Sequence, residues 1–136
     1  MTSDTTAKIE AFLAGAPFAV VGASKDRSKY GNKVLRVYQQ RGLEVYPVHP
    51  SEAEIEGLPC SKSLAALPKT PHGISIVTPP LVTERIVEEA KKLGIEHLWL
   101  QPGAESQKAI ARAEELGLFV IAGGPCVLVV LGFRDA

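Results

Sequence analysis

Short apolar runs alternate with amphipathic stretches along most of this chain. The runs are rich in β-branched residues and end at glycine or polar residues, a pattern typical of buried strands. They cover Phe18 to Ser24, Leu43 to Val48, Gly73 to Thr78, Glu96 to Leu100 and Leu118 to Ala122, and Val127 to Leu131 is a candidate for a last strand.

The stretches between the runs carry apolar residues at helical spacing. The clearest face holds Val82, Ile86, Val87, Ala90 and Leu93, with Pro79-Pro80 fixing the first turn and Gly94 ending the helix. Further helices are predicted around Lys8 to Leu13 with Asp4 as the cap, around Val34 to Tyr38 ending at Arg41-Gly42, and from Ser106 to Leu116. Residues 49–71 are interpreted as a connector with a short helical turn around Ser63 to Ala66.

Apolar strands separated by amphipathic helices predict a parallel sheet covered on both faces and joined by right-handed crossovers. We therefore expect an α/β fold with a doubly wound, mainly parallel, Rossmann-like sheet in three layers, α/β/α. A chain of 136 residues with 46% hydrophobic residues can fill one sizeable core. Residues 1–136 are accordingly predicted to form a single domain.

The charge balance limits the partners of the chain. Fifteen basic and fifteen acidic side chains cancel, so no overall positive field favours nucleic acid or an anionic membrane. Two cysteines, Cys60 and Cys126, are expected to be thiols in a reducing compartment. The opening Met-Thr-Ser-Asp lacks the pattern of a signal peptide, so we expect a soluble cytoplasmic protein. The three histidines lack metal-ligand spacing, so no metal site is expected.

Glycine, proline and polar residues gather where the predicted strands end. In an open parallel sheet, ligands bind outside these carboxyl ends, at the point where the strand order reverses. At the first such end, the turn Gly22-Ala-Ser24 is followed by a basic loop and by Gly31-Asn32 at the start of a helix. Because N–H groups at a helix start have no internal partners, this arrangement favours an anion such as a phosphate.

The dinucleotide fingerprint is incomplete in this sequence. Its glycine positions hold Gly22, Ser24 and Arg27, and His49-Pro50 stands where an acid would hold the ribose of a nicotinamide cofactor. The loop carries Lys25, Arg27, Lys29 and Lys33 against the single acid Asp26. Coenzyme A adds a 3′-phosphate to its pyrophosphate, so a basic loop suits it better than NAD.

Several motifs together give the chain a family resemblance. They are Val21-Gly-Ala-Ser24, Tyr46-Pro-Val-His-Pro50, Gly57-Leu-Pro-Cys60 leading into Ser63-Leu64, Trp99-Leu-Gln101 with Gly103, and Cys126. With these motifs over nearly its whole length, the sequence resembles the small CoA-binding proteins with a Rossmann-like fold. It is similar to the N-terminal CoA-binding domain of the succinyl-CoA synthetase alpha subunit.

The resemblance implies a set of ligand contacts. Gly22, Ala23 and Ser24 with Gly31, Asn32 and Lys33 would hold the phosphates, and His49, Pro50, Thr78, Pro79, Pro80 and Val82 would flank the adenosine. Lys25 and Lys29 of the basic loop and Gln101 and Gly103 at a strand end complete the candidate set. The ligand is expected to be coenzyme A or an acyl-CoA, and Lys33 is expected to contact a phosphate because a cation in the first helical turn opposes the helix dipole.

No catalytic constellation is evident among the strand ends, so binding without catalysis is the leading hypothesis. A small NAD(P)-dependent oxidoreductase or redox sensor is the alternative, and an interaction module that has lost its ligand is a third hypothesis. Cys126 has two interpretations. It is either a small buried apolar residue or a thiol that forms a mixed disulfide with coenzyme A.

Overall fold

The computed structural model describes residues 4–135, which form a central sheet between two layers of helices. The strands are β1 (Phe18–Val21), β2 (Val45–Val48), β3 (Glu54–Ile55), β4 (Leu58–Pro59), β5 (Gly73–Ile76), β6 (His97–Leu100) and β7 (Phe119–Ile121). The helices are α1 (Asp4–Leu13), α2 (Tyr30–Gln40), α3 (Pro80–Leu93), α4 (Gln107–Glu115) and α5 (Val127–Val130), with a 3-10 turn at Leu64–Ala66.

The central sheet has five strands in the order β2-β1-β5-β6-β7, and all of its pairs are parallel. The chain goes from β1 to β2 on one side and then returns to place β5 on the other side of β1. The strand order therefore reverses between β1 and β5, which confirms the doubly wound fold. This reversal puts the expected ligand site at the carboxyl ends of these two strands.

Alternate residues of β1 face opposite layers of the core, as the two-residue period of a strand requires. Ala19 and Val21 pack in the apolar cluster that includes α3 and α4, while Phe18 and Val20 pack in the cluster that includes α1, α2 and α5. Both clusters consist mainly of residues with less than a tenth of their surface exposed. The α/β/α layering predicted from the alternating pattern is thus confirmed.

The candidate last strand at Val127 to Leu131 is wrong. The segment forms the short helix α5, and Val127 is completely buried in the cluster beneath α2. The preceding Gly123 and Gly124 have φ values of 86° and 133°, which are incompatible with a continued strand after β7. A short apolar run shows neither the alternation typical of a strand nor the spacing typical of a helix, so tertiary contacts decided its conformation.

The connector contains a hairpin that the sequence pattern did not predict. Strands β3 and β4 pair antiparallel across Glu56-Gly57, whose φ values are 51° and 79°. Positive φ at both turn residues is the geometry of a tight two-residue hairpin, and a glycine at the second position was the available signal. The helical turn expected around residues 63–66 is present. No helix within residues 4–135 has the length and hydropathy required to cross a bilayer.

Candidate functional site

A cavity of about 440 Å³ opens at the point where the strand order reverses. It is lined by Gly22, Ala23, Ser24, Lys29, Tyr30, Gly31, His49, Pro50, Val77, Thr78 and Pro79. These residues come from the carboxyl ends of β1, β2 and β5 and from the start of α2. A second groove of about 470 Å³ lies between α3 and α4, where its charged lining includes the pairs Arg112–Glu88 and Lys108–Glu84, away from the strand ends.

Two glycines allow the backbone segments around the cavity to approach each other closely. Gly22 has a φ of 93°, and a Cβ at this position would lie 2.0 Å from the carbonyl oxygen of Val77. A Cβ on Gly31 would lie 2.1 Å from the carbonyl oxygen of Gly22. Only glycine therefore fits at either position, and the first turn of α2 is pressed onto the turn after β1.

The start of α2 is not capped by the residue before it. Lys29 has extended backbone angles and makes no side-chain hydrogen bond to the helix. The first N–H groups of an α-helix have no intrahelical partner, so they attract an anion at this point. The loop leading there is ordered by local bonds, since the Asp26 carboxylate accepts from the Ser28 N–H at 2.9 Å and Ser24 Oγ accepts from the Asp26 N–H at 3.1 Å. The bonds to Ser28 lower the pKa of Asp26.

Acidic partners neutralise most of the basic loop. Lys25 pairs with Glu52 at 3.3 Å, Arg27 with Glu56 at 3.4 Å and Lys33 with Asp135 at 3.7 Å. Among the residues that the structure describes, Lys29 is the member of this group that forms no ion pair, although its charge acts on nearby Asp26, and it lines the cavity. The sequence suggested that a bound anion explains a cation in the first turn of α2. The pairing of Lys33 with Asp135 offers a second explanation.

Asn32 lies beneath the cavity rather than in its wall. Its side chain is completely buried, and its Nδ2 donates to the carbonyl oxygen of Ser24 at 2.8 Å and to Glu56 at 3.0 Å. Its Oδ1 accepts from Nε of the buried Arg36 at 2.6 Å. Arg36 in turn donates to the carbonyl oxygen of Arg27 at 3.0 Å. Asn32 and Arg36 therefore hold the loop, and the sequence offered no signal for Arg36 or Glu56.

His49 combines a local structural bond with a place in the cavity wall. Its Nδ1 accepts from the N–H groups of Ser51 at 3.1 Å and Glu52 at 3.2 Å. The proton of the neutral ring is thereby assigned to Nε2, which can serve as a donor to a ligand. Next to it Pro50 lines the same cavity.

The remaining candidates separate into two groups. Thr78 and Pro79 line the cavity, and the Thr78 hydroxyl is hydrogen-bonded to that of Thr83 at 2.7 Å. Pro80 and Val82 belong to the first turn of α3, and Gly103 occupies a turn after β6 with a φ of 96°. None of these three lines the cavity, so the structure does not bring them together with the residues of the β1 turn.

A partly buried cluster adjoins the cavity through Tyr30, which the sequence analysis did not select. The Tyr30 hydroxyl lies 3.3 Å from Oε1 of Gln101 and is hydrogen-bonded to the Cys126 sulfur. Burial, followed by the bond to Cys126, raises the pKa of Tyr30. The signal available for Tyr30 was an aromatic residue directly before the glycine that opens the helix.

The sequence is similar to those of known proteins. A family model described as "CoA binding domain" matches residues 17–132. An ADP-forming acetate–CoA ligase of Methanocaldococcus jannaschii is 31% identical over 77 residues, which are 57% of this chain and 11% of the ligase. This chain therefore corresponds to a small part of that enzyme.

Two solved structures extend the comparison. A conserved hypothetical protein from Pyrococcus furiosus aligns with a TM-score of 0.80 and 41% identity, covering 85% of this chain and 99% of that protein. A dinucleotide-forming acetyl-coenzyme A synthetase 1 from Ca. Korarchaeum cryptofilum aligns with a TM-score of 0.71 and 28% identity, covering 82% of this chain and 27% of the synthetase. The fold thus occurs both in a protein of similar length and as part of a larger enzyme.

Proposed function

Because this chain belongs to the CoA-binding domain family, we propose that it binds coenzyme A or an acyl-CoA through its phosphates and adenosine at the carboxyl ends of the strands. The observation that carries this proposal is the cavity between the β1 turn and the start of α2. It combines backbone N–H groups, a helix start without a side-chain cap and the cation Lys29, which forms no ion pair within residues 4–135.

The phosphates are assigned to the turn of Gly22, Ala23 and Ser24 and to the first turn of α2 at Gly31. Support comes from the two glycines, which let the first turn of α2 pack directly against the turn after β1, so that the backbone of both segments lines the cavity. Lys29 at the rim provides the positive charge for a pyrophosphate or the 3′-phosphate.

The adenosine is assigned to the wall formed by His49, Pro50, Thr78 and Pro79. The two prolines offer flat apolar surfaces, and the Nε2 proton of His49 supplies a donor. A hydroxyl at Thr78 adds a polar group on the opposite side. Such a mixed lining is typical of small-molecule sites, in which a few polar groups fix the orientation of the ligand.

We also propose that binding occurs without catalysis. The cavity wall holds one histidine and one lysine but no cysteine or carboxylate. Its Ser24 and Thr78 hydroxyls are bonded to the Asp26 N–H and to Thr83, neither of which is a base that would activate them as nucleophiles. No group of three or more potential metal ligands occurs within residues 4–135. The reaction of the acetate–CoA ligases belongs to much longer enzymes, and this chain matches only a small part of them.

Isothermal titration of coenzyme A, 3′-dephospho-coenzyme A and NAD tests the proposal on protein first freed of co-purified nucleotide. We expect coenzyme A to bind more tightly than the other two, because it alone carries the 3′-phosphate. Binding of NAD alone would instead support the oxidoreductase. If none of the three bound, the interaction module without a ligand would be favoured.

A further inference from the structure

Three side chains from distant parts of the chain meet beside the cavity: Tyr30 from α2, Gln101 from the end of β6 and Cys126 from the segment before α5. Tyr30 lines the cavity and touches both other side chains. Cys126 is partly exposed and forms no disulfide. Its sulfur is therefore one side chain away from the space assigned to coenzyme A.

Gln101 carries a buried donor without a partner. Its Oε1 accepts from the Val127 N–H at 3.1 Å and lies 3.3 Å from the Tyr30 hydroxyl. This fixes the orientation of the amide, since the reverse orientation would set its NH₂ group against the Val127 N–H. The residue is completely buried, and its Nε2 has no hydrogen-bond partner among the described residues.

An unpaired buried donor is costly, and native proteins rarely retain one without a reason. Because Nε2 is closed to solvent, a ligand that extends past Tyr30 would reach it through a shift of the Tyr30 side chain and would satisfy it with a carbonyl oxygen. The pantetheine arm of coenzyme A contains two amide carbonyls and ends in a thiol. Its carbonyls match the unpaired Nε2 of Gln101, and its thiol matches the neighbouring sulfur of Cys126.

The Tyr30 hydroxyl is suited to assist a sulfur anion. Burial raises the pKa of Tyr30, so the hydroxyl keeps its proton under the conditions in which proteins are handled. It can turn its proton from Gln101 to Cys126, because the Val127 N–H continues to hold the Gln101 oxygen. A hydrogen bond to a charged acceptor is stronger than one to a neutral acceptor, so the hydroxyl is placed to stabilise negative charge on the sulfur atoms during an exchange reaction.

We propose that Cys126 is a thiol–disulfide exchange site for the thiol end of coenzyme A, with Tyr30 and Gln101 receiving the pantetheine arm. This proposal rests on the proposed function, since the nucleotide must hold the ligand in the cavity. The co-reactant is coenzyme A disulfide. The Cys126 thiolate attacks one of its sulfurs, a new S–S bond joins Cys126 to one coenzyme A, and the other coenzyme A leaves as a thiolate that takes up the proton lost by Cys126.

Cys60 provides an internal control. Its sulfur lies 3.9 Å from the carbonyl oxygen of His49 and 3.7 Å from that of Ser61. Burial raises the pKa of Cys60, so it remains a thiol and is a poor nucleophile. A reaction governed by the Tyr30 cluster should therefore distinguish the two cysteines.

The test treats the full chain with coenzyme A disulfide and follows its intact mass. We expect one adduct with the mass of one coenzyme A less two hydrogen atoms, located at Cys126 by peptide mapping. Cys60→Ser should retain the adduct and Cys126→Ser should lose it. Tyr30→Phe, which keeps the ring but not the hydroxyl, should slow the reaction about tenfold.

Oxidised glutathione and adenosine 3′,5′-bisphosphate test whether the bound nucleotide directs the exchange or whether Cys126 reacts only because it is partly exposed. We expect glutathione disulfide, which lacks the nucleotide, to modify Cys126 about tenfold more slowly. The bisphosphate should protect Cys126 from coenzyme A disulfide but not from glutathione disulfide. Equal rates for the two disulfides, or an adduct on Cys60, would overturn the exchange site.

Titration of coenzyme A into Cys126→Ser distinguishes the two proposals. Retained binding by this variant, together with no adduct on the unmodified chain, would reject the exchange site and leave the proposed function intact. Absence of coenzyme A binding by the unmodified chain would reject the proposed function itself.

Discussion

At the scale of single residues, the glycines of this chain differ greatly in what surrounds them. Gly22 and Gly42 both have positive φ, 93° and 70°. A Cβ at position 22 would collide with the Val77 carbonyl oxygen at 2.0 Å, whereas a Cβ at position 42 would meet nothing within 4 Å. The two positions therefore separate backbone strain from steric collision.

We expect Gly22→Ala to lower the free energy of unfolding by about 3 kcal/mol or more, because strain and collision add. Gly42→Ala should cost about 1 kcal/mol from the backbone conformation alone. Urea denaturation of both variants measures the difference. Similar losses for the two would show that the β1 turn can relax around a side chain.

Lys29 and Lys33 offer a matched pair of charge deletions. Lys29 lines the cavity, while Lys33 pairs with Asp135 at 3.7 Å. We expect Lys29→Ala to weaken coenzyme A binding about tenfold, the loss of one charge-assisted contact, and Lys33→Ala to have a smaller effect. Titration calorimetry checks both. A greater loss of coenzyme A binding in Lys33→Ala than in Lys29→Ala would support the phosphate contact that the sequence assigned to Lys33.

At the scale of elements, Asn32 joins the β1 turn, α2 and the β3–β4 hairpin. It does so through Ser24, Arg36 and Glu56, all within hydrogen-bond distance. Because each partner belongs to a different segment, the shape of the cavity depends on one buried amide.

Asn32→Ala should destabilise the fold by about 2 kcal/mol, since it leaves buried polar partners without a bond. It should also weaken coenzyme A binding, because the loop that carries Lys29 loses its anchor. The control is Gln39→Ala, which removes an exposed bond to the Glu56 carbonyl oxygen. Urea denaturation and titration calorimetry should show a small change for the control, and an equal change would contradict the anchoring role.

The amino-terminal edge of the sheet carries stacked rings instead of a ligand site. His72 and His97 stack with centroids 4.4 Å apart, and His97 stacks on Phe119 at 5.0 Å. Burial lowers the pKa of His97 from 6.5, His72 lowers it further, and Glu96 opposes the shift. The unfolded chain therefore binds a proton at His97 more readily than the folded protein does.

The folded protein should accordingly lose stability as the pH falls from about 7 through 6.5, and the loss should level off below the folded pKa of His97. His97→Gln removes the titrating group and should flatten the slope between about pH 5 and 7. Thermal unfolding across this pH range measures the slope of stability against pH. An unchanged slope in the variant would assign the effect to another group. Glu88 and Asp135, whose pKa values are lowered from 4.5 and 3.8, act in a more acidic range.

At the scale of the whole molecule, binding at the switch point should stabilise the sheet because the cavity draws on three strand ends and α2. A ligand that binds the folded state alone adds about 2.7 kcal/mol at a concentration 100 times its Kd. We expect coenzyme A at such a concentration to raise Tm by roughly 10 °C for a domain of this size. A thermal shift with coenzyme A checks this, and NAD at the same concentration should raise Tm less.

The periodicity of the chain was sufficient to predict most of the fold. Continuous apolar strands and one-sided helices have few stable arrangements other than a covered parallel sheet. The pattern failed at Val127 to Leu131 and at the β3–β4 hairpin. One run was too short to show a period, and the hairpin strands have two residues each.

The sequence by itself determined which residues lie at the strand ends, because the end of each apolar run places Gly22, Ser24, His49 and Thr78 at one edge of the sheet. Only the tertiary structure decided which of them face a common space. Charge pairing and buried contacts join residues far apart in the chain, such as Lys33 with Asp135 and Tyr30 with Cys126. No local pattern encodes such contacts, since they arise when the crossovers bring separate segments together.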